Sequence, residues 1–160
     1  MSAAAVVEAA SAEDFAVGRQ LFEEYAETLG VDLCFQNFAA ELEQMAAMYA
    51  APRGCLLLAM DDLGPAGCVA LGSIKDATCE MKRLYVRPRA RGKALGRALA
   101  TAIAERARSL GYRRMVLDTL DSMQTAEHLY RSLGFKDAAP HYANPLASVV
   151  YLELNLLVRQ

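Results

Sequence analysis

The segment from Glu80 to Leu99, EMKRLYVRPRARGKALGRAL, constrains the fold more than any other part of the chain. It predicts a strand that ends before Pro88, then a basic turn containing Gly92, and then a helix that begins at about Ala94. The first turn of a helix has backbone N–H groups without intrahelical partners, and the helix dipole adds positive charge there. This order of elements predicts a site for a di- or triphosphate-like anion.

Two well-known phosphate-binding motifs do not match this segment. A P-loop needs Ser or Thr after its Lys, whereas Lys93 is followed by Ala94. A dinucleotide fingerprint has the pattern G-x-G-x-x-G, and Gly92 with Gly96 supplies too few glycines at the wrong spacing. A basic turn before a helix is also often a solvated loop, so the turn alone leaves both interpretations open.

The stretch from Arg91 to Gly96, RGKALG, resembles the Q/R-x-x-G-x-G/A pyrophosphate loop of the GNAT N-acyltransferase superfamily, with RLYVRP upstream and LYRSLGF downstream. In this register Ala94 occupies a position where Gly is commoner. A register that starts at Arg89 also fits the letters but moves the following helix off the family pattern, and both registers stay open. The resemblance is specific from Glu80 to Phe135 and loose at both ends.

The resemblance implies an α/β (α+β) protein with the GNAT fold. That fold has a mixed central sheet of about six to seven strands, about four helices, and two parallel strands that splay apart at the cofactor site. It also implies acetyl-CoA as co-substrate, with backbone groups of Leu84 and Val86 meeting the pantetheine arm. The implied cofactor-binding residues of the loop are Arg91, Gly92, Lys93, Ala94, Leu95, Gly96 and Arg97.

Two residues are candidates for the chemistry. Tyr130 lies in LYRSLGF, which resembles the motif whose Tyr approaches the thioester sulfur, and a phenol can protonate a leaving thiolate. Glu80 precedes Val86 by six residues, as the strand glutamate does in GNAT histone acetyltransferases, and is the candidate base. The alternative for Tyr130 is a core aromatic. The alternative for Glu80 is an ion pair with Lys82 or another nearby cation, with a water chain or different residues serving as the base.

The acceptor side is expected between the first two helices and a late loop. In this fold the first helices and their connection form one wall, which makes Tyr25 and Phe35 candidate lining residues. His141, Tyr142 and Asn144 lie in the late loop that often rims the acceptor. The two histidines are too far apart in sequence to suggest a metal site, and no metal is expected.

Composition excludes several classes of protein. The net charge of −2 disfavours a general nucleic-acid binder, and the apolar runs are too short to span a membrane. The start MSAAAVVEAA lacks the basic region of a signal peptide. Cys34, Cys55, Cys68 and Cys79 form no C-x-x-C pair, which predicts reduced thiols in a cytoplasmic protein without a zinc site.

The whole chain, residues 1–160, is predicted to form a single GNAT acyltransferase domain, with a homodimer as one option for its assembly. Hydrophobic periodicity and turn residues predict the helices and strands. The predicted helices span Ser11–Leu29, Ala39–Tyr49, Ala94–Leu110 and Thr125–Leu133. The predicted strands are Ala5–Ala9, Cys55–Met60, Gly67–Ile74, the segment carrying Glu80, Arg113–Leu117, a strand opening at Phe135, and Val149–Leu154.

The resemblance therefore predicts an acetyl-CoA-dependent N-acetyltransferase that moves an acetyl group to a primary amine by direct attack on the thioester. The amine belongs to a small molecule or a peptide. A second hypothesis is a catalytically silent module that senses acyl-CoA, and both hypotheses predict cofactor binding. Fold analogy alone does not fix the substrate.

Overall fold

The computed structural model describes residues 4–30, 37–142 and 148–158. Its strands are β1 (Ala5–Glu8), β2 (Cys55–Asp61), β3 (Gly64–Lys75), β4 (Thr78–Val86), β5 (Arg114–Leu120), β6 (Lys136–Asp137) and β7 (Val149–Asn155). Its helices are α1 (Ala12–Leu29), α2 (Phe38–Glu43), α3 (Met45–Met48), α4 (Leu95–Ser109) and α5 (Gln124–Ser132), with a 3-10 turn over Pro88–Ala90.

The strands form one mixed sheet in the order β1-β2-β3-β4-β5-β7-β6. Only β4 and β5 pair in parallel, and every other neighbouring pair is antiparallel. One apolar core lies between the sheet and α4, and a second lies between the opposite face and the helices α1 and α3. The predicted mixed central sheet of about six to seven strands is confirmed, and the described residues form five α-helices where about four were predicted.

The parallel pairing of β4 with β5 is short. It joins Thr78 to Arg114, Cys79 to Met115 and Glu80 to Val116. Beyond that point β4 pairs only with β3, and β5 pairs only with β7. The two strands therefore splay apart after Glu80, and a gap opens between them as the resemblance implied.

The backbone of Leu84 and Val86 faces this gap. The Arg87 N–H donates to Ala66 O at 2.8 Å, which joins Arg87 to β3. In an antiparallel pair the inter-strand bonds alternate from one residue to the next. The backbone groups of Val86, and the C=O of Leu84 in the peptide before Tyr85, consequently face away from β3 toward the edge that β5 has left.

A β-bulge interrupts β4 at Arg83 and Leu84. Lys82 is opposite Ala70 and Tyr85 is opposite Cys68, so two residues of β4 oppose Val69 alone. Arg83 adopts a left-handed backbone conformation with φ 59°. The bulge reverses the alternation of side chains for the rest of the strand.

The bulge changes which side chains of β4 share a face. Strict alternation places Glu80, Lys82, Leu84 and Val86 on one face. In the structure Leu84 and Val86 pack against the core beneath α4, whereas Lys82 contacts Glu41 of α2 on the opposite face. The consecutive residues Lys82 and Arg83 thus both point toward α2.

A buried ion pair joins α2 to the bulge. Arg83 donates from Nη2 to Glu41 Oε1 at 2.7 Å and from Nε to Oε2 at 3.1 Å. The Tyr49 hydroxyl donates to the same carboxylate at 2.9 Å, and both ion-pair side chains are at most 5% exposed. Burial alone would raise the pKa of Glu41, but the hydrogen bonds and charge of Arg83 outweigh burial and lower it.

The prediction of one continuous helix over Ala39–Tyr49 is wrong, because the structure divides this segment into α2 and α3. Gln44 ends α2 with φ −111° and ψ 15°, and α3 begins at Met45. The break turns the chain so that the Tyr49 ring lies in the core while its hydroxyl reaches Glu41. Sequence periodicity does not show such a turn because every residue in the segment is compatible with helix.

The predicted start of α1 is confirmed. Ser11 Oγ accepts from the Asp14 N–H at 3.1 Å, and Asp14 Oδ2 accepts from the Ser11 N–H at 3.2 Å, which is a complete capping box. Gly30 ends the helix with φ 67°. In the part of the chain that the structure describes, no helix combines the length and the hydropathy needed to cross a membrane.

Replacing Glu41 with Ala should lower the free energy of unfolding by about 3–5 kcal/mol. The substitution leaves Arg83 buried without a carboxylate partner. Folding lowers the pKa of Glu41. The ionised carboxylate therefore contributes its full stabilisation at pH values above the ordinary carboxyl pKa, and this contribution is lost as the pH falls through the pKa of Glu41 in the folded protein. Urea unfolding of both proteins at neutral and acidic pH measures the difference.

Glu43→Ala is the matched control, because Glu43 lies on the same helix and is exposed. Its effect should stay within about 0.5 kcal/mol. A loss of less than about 1 kcal/mol in Glu41→Ala at neutral pH would show that the ion pair does not hold α2 on the sheet.

Candidate active site

The chain enters α4 through a loop with two left-handed residues. After the 3-10 turn over Pro88–Ala90, Gly92 has φ 80° and Ala94 has φ 61°, and Ala94 is the N-cap of α4. Gly adopts this conformation without strain, whereas Ala carries a Cβ that crowds the following carbonyl. The left-handed turn explains why Gly is commoner at the position of Ala94.

The amides of this loop are available to a ligand. The Arg91 N–H donates to Pro88 O, and the first helical bond of α4 runs from the Ala98 N–H to Ala94 O. Within the described ranges, no amide from Gly92 to Arg97 donates to a protein acceptor. A Cβ built at Gly92 would meet no atom within 4 Å, so a ligand has room to approach this backbone. The loop therefore fits a pyrophosphate group.

Three cations of the loop are exposed: Arg91, Lys93 and Arg97. Arg91 Nε donates to Val86 O at 3.0 Å, which places its guanidinium at the mouth of the gap. Arg97 donates to Ser132 Oγ at 2.8 Å on α5. These contacts leave most guanidinium N–H groups of both residues for an anion.

Arg89 is directed away from the loop. Its guanidinium donates to Asp61 Oδ2 at 2.7 Å and to Pro65 O at 2.9 Å, on the hairpin between β2 and β3. Arg91 has no such carboxylate partner among the described residues. Of the two loop registers, these contacts favour the one that starts at Arg91.

The remaining loop residues support the helix start. Leu95 is buried against Ala66 and Ala90. A Cβ built at Gly96 would lie 3.5 Å from Leu129 of α5, which is ordinary contact. Both residues offer their backbone amides, not their side chains, to the anion site.

Tyr130 lies on α5 and is 7% exposed. Its ring packs at 5.7 Å from that of Phe135, within the core beneath α4. Among the described residues its hydroxyl has no hydrogen-bond partner, and burial raises the pKa of this phenol. The hydroxyl is thus protonated at neutral pH and free to donate to a ligand.

Glu80, Asp118 and His141 meet where the two parallel strands separate. His141 Nε2 lies 3.1 Å from Glu80 Oε2 and 4.0 Å from Asp118 Oδ1. The three groups offer atoms of metal-ligand type within 4.8 Å of one another, and the hydrogen bond between His141 and Glu80 accounts for the shortest separation. The cluster brings together a residue predicted as the base and one predicted to bind the acceptor.

Aromatic residues hold this cluster. The Tyr142 hydroxyl donates to Asp118 Oδ2 at 2.8 Å, and the Tyr151 hydroxyl donates to Tyr142 O at 3.3 Å. The His141 ring lies 5.1 Å from the Tyr142 ring and 5.5 Å from the Tyr151 ring. Burial raises the pKa of Asp118, and the charge of Glu80 adds to that rise, while the Tyr142 hydroxyl opposes it.

The structure describes only some of the other residues that were predicted to line the acceptor side. Tyr25 packs edge-on against Tyr85 of β4 at 6.1 Å, and burial raises its pKa to about 12. Phe35 and Asn144 lie outside the described residues. The charge of Arg83 opposes this rise in the pKa of Tyr25, and the charge of Asp118 adds to it.

Sequence reasoning missed Asp118 and the pair of Glu41 with Arg83. A weak signal for Asp118 was present, because it follows the buried run MVL as a single acidic residue inside a strand. For Glu41 and Arg83, which are 42 residues apart in sequence, the order of residues offers no comparable signal.

The model of the acetyltransferase (GNAT) family matches residues 18–135. The chain belongs to this family. It is 46% identical over 140 residues to an uncharacterised N-acetyltransferase of Schizosaccharomyces pombe, with 86% of each chain covered. The chain is an N-acetyltransferase, and the family uses acetyl-CoA, which confirms the prediction of this co-substrate.

Solved structures show the same GNAT fold. An acetyltransferase of the GNAT family from Staphylococcus aureus superposes with a TM-score of 0.80 at 16% identity, covering 96% of this chain and 99% of that one. YncA from Salmonella typhimurium, determined with its cofactor acetyl-CoA, gives a TM-score of 0.69 at 21% identity, covering 97% of this chain and 95% of that one.

Replacing Ala94 with Gly should tighten coenzyme A binding by about threefold, or about 0.7 kcal/mol. The change removes a methyl group from the amide-lined turn and relieves the left-handed strain at φ 61°. The free energy of unfolding should rise by less than about 1 kcal/mol, because the entropy of Gly offsets part of the relief. Calorimetry with coenzyme A and urea unfolding measure both effects.

Ala98→Gly is the matched control, since Ala98 is exposed one turn into α4. It should destabilise the protein by about 1 kcal/mol and leave coenzyme A binding unchanged. Weaker binding in Ala94→Gly would contradict the assignment of this turn to the phosphates.

Proposed function

We propose that the chain acetylates a primary amine of a small molecule or a peptide, with direct attack of the amine on the acetyl-CoA thioester. We further propose that residues 1–160 act as a single catalytic domain. The observation that carries the proposal is the convergence of Glu80 and Asp118 beside the unpaired edge of β4. Carboxylates at that point lie where an incoming amine would meet a thioester held in the gap.

Backbone and side-chain groups of β4 and of the loop at the start of α4 would hold the co-substrate. The backbone of Leu84 and the N–H of Val86 face the gap and suit the two amides of pantetheine, as a missing strand would. The loop amides from Gly92 to Arg97 suit the pyrophosphate, with added charge from Arg91 and Lys93. When bound, acetyl-CoA supplies an activated acetyl thioester.

Glu80 is proposed to take the proton of the acceptor. A lysine-like amine has an ordinary pKa near ~10.4 and reaches the site as an ammonium ion. The negative charge of Glu80 and Asp118 attracts that ion, and Glu80 Oε1 has no hydrogen bond to another described residue. Loss of the proton to Glu80 leaves the nitrogen lone pair free to attack.

Tyr130 is proposed to protonate the leaving thiolate. Burial keeps its phenol protonated, and its hydroxyl has no described protein acceptor to compete with a ligand. Tyr25, Phe35, His141, Tyr142 and Asn144 are proposed to line the acceptor side. A cytoplasmic location and a homodimer stay predictions.

Release of free thiol from acetyl-CoA tests the function directly, with amines, amino acids, polyamines and peptides as acceptors. An enzyme should release thiol with at least one acceptor, whereas a silent sensor binds acetyl-CoA and releases none. With the best acceptor, Glu80→Gln should lower kcat/KM at pH 7 by about 10²-fold or more. Part of the activity should return near pH 10, where the amine deprotonates without a base.

Glu27→Gln is the matched control, because Glu27 is exposed on α1. It should leave the pH–rate profile unchanged. A Glu80→Gln profile that superposes on that of the parent enzyme would remove Glu80 from the mechanism.

Tyr130→Phe should lower kcat by about 10²-fold with little change in the KM for acetyl-CoA. The substitution removes only the hydroxyl and retains the ring that packs on Phe135. Initial rates across acetyl-CoA concentrations separate the two constants. Phe135→Leu, which alters the same ring packing without the acid, is the control, and an unchanged kcat in Tyr130→Phe would exclude the phenol as acid.

A further inference from the structure

His141 lies between two carboxylates and has one ring nitrogen with no hydrogen-bond partner among the described residues. Its side chain is 9% exposed, and Nε2 is the ring nitrogen that faces Glu80 and Asp118. Nδ1 is buried without a hydrogen-bond partner among the described residues. The two nitrogens of this ring therefore have very different surroundings.

These surroundings determine where the proton of the neutral ring lies. A lone pair on Nε2 would face two carboxylates, whereas an N–H on Nε2 donates to Glu80 Oε2 at 3.1 Å. An N–H on Nδ1 would be a buried donor with no described acceptor. The neutral His141 ring thus carries its proton on Nε2, and this N–H donates a hydrogen bond to Glu80.

We propose that His141 is a positioning residue that keeps Glu80 ionised and directs its second oxygen toward the acceptor amine. This inference rests on the proposed role of Glu80 as base. The Nε2–H donor binds the carboxylate of Glu80 at 3.1 Å and offsets the like charge of Asp118, which lies 4.0 Å from the same nitrogen. With the donor on Oε2, Oε1 is left to receive the proton of the ammonium group.

The proton balance follows from this arrangement. An N–H bond of the acceptor ammonium breaks and an O–H bond forms on Glu80 Oε1, while His141 retains its Nε2 proton. The amine nitrogen then forms the new bond to the acetyl carbon, the C–S bond breaks, and the leaving thiolate takes the proton of Tyr130. The nitrogen loses its second proton to solvent, and Tyr130 regains a proton from solvent. After the transfer, Glu80 returns its proton to solvent, and the hydrogen bond to His141 is available again.

Neighbours of the ring fix its orientation. The groups facing it are Glu80 of β4, Asp118 of β5, Tyr151 of β7 and the adjacent Tyr142. Tyr151 meets the imidazole edge-on at 90°, and the Tyr142 hydroxyl is bound to Asp118. The ring is clamped between these phenols, so it presents a fixed donor to Glu80.

The pH profile of kcat/KM tests the inference with His141→Ala, His141→Gln and His128→Ala. In His141→Ala the acid limb of the profile should move to higher pH by about one unit, because the ionised form of the base has lost its donor. His141→Gln retains an N–H near the position of Nε2 and should restore most of the shift. His128 is exposed on α5, and its replacement should leave the limb in place.

A second measurement determines directly which ring nitrogen of His141 carries the proton. The chain has two histidines, so ¹⁵N shifts of the His128→Gln protein report His141 alone. The Nε2–H tautomer at pH 8 supports the inference, and the Nδ1–H tautomer overturns it, whatever the activity. An acid limb that stays in place in an active His141→Ala enzyme also overturns it. Absence of thiol release with every acceptor contradicts the proposed function instead, so the two failures are distinguishable.

Discussion

The site depends on the early end of the pairing between β4 and β5. Beyond the pair Glu80–Val116 the two strands are no longer paired with each other, although β4 stays hydrogen-bonded to β3 and β5 stays hydrogen-bonded to β7. The outer bonds hold the two strands in place where, among the described residues, no backbone pairing joins them. The same divergence leaves the C=O of Leu84 and the N–H of Val86 without a strand partner on the side of β5 and places Glu80 and Asp118 at the point where the strands part.

The bulge in β4 makes this arrangement compatible with a stable core. Without the extra residue, Arg83 would point into the apolar layer beneath α4, and Leu84 would face the carboxylate of Glu41. Both changes would bury a charge without its partner, which is among the largest penalties in protein stability. The bulge and the ion pair therefore require each other, and together they fix α2 against the strand that carries the candidate base.

Local features of the fold were predictable from sequence, and features that depend on register were not. The capping box at Ser11, the turn at Gly92 and the start of α4 each depend on residues within a few positions of one another. The break at Gln44 and the placement of Asp118 beside His141 depend on contacts between distant segments. Periodicity gives the face of a strand only until a bulge changes it, as at Arg83.

Charge is separated across the gap in a way that suits two oppositely charged ligands. The exposed cations Arg91, Lys93 and Arg97 lie on the α4 side, where anionic phosphates would bind. Glu80 and Asp118 lie at the point where the strands part, where an ammonium ion would bind. The net charge of −2, from 17 basic and 19 acidic residues, does not show this separation because a sum carries no positions. Such a separation would attract an anionic co-substrate and a cationic acceptor to opposite sides of the gap.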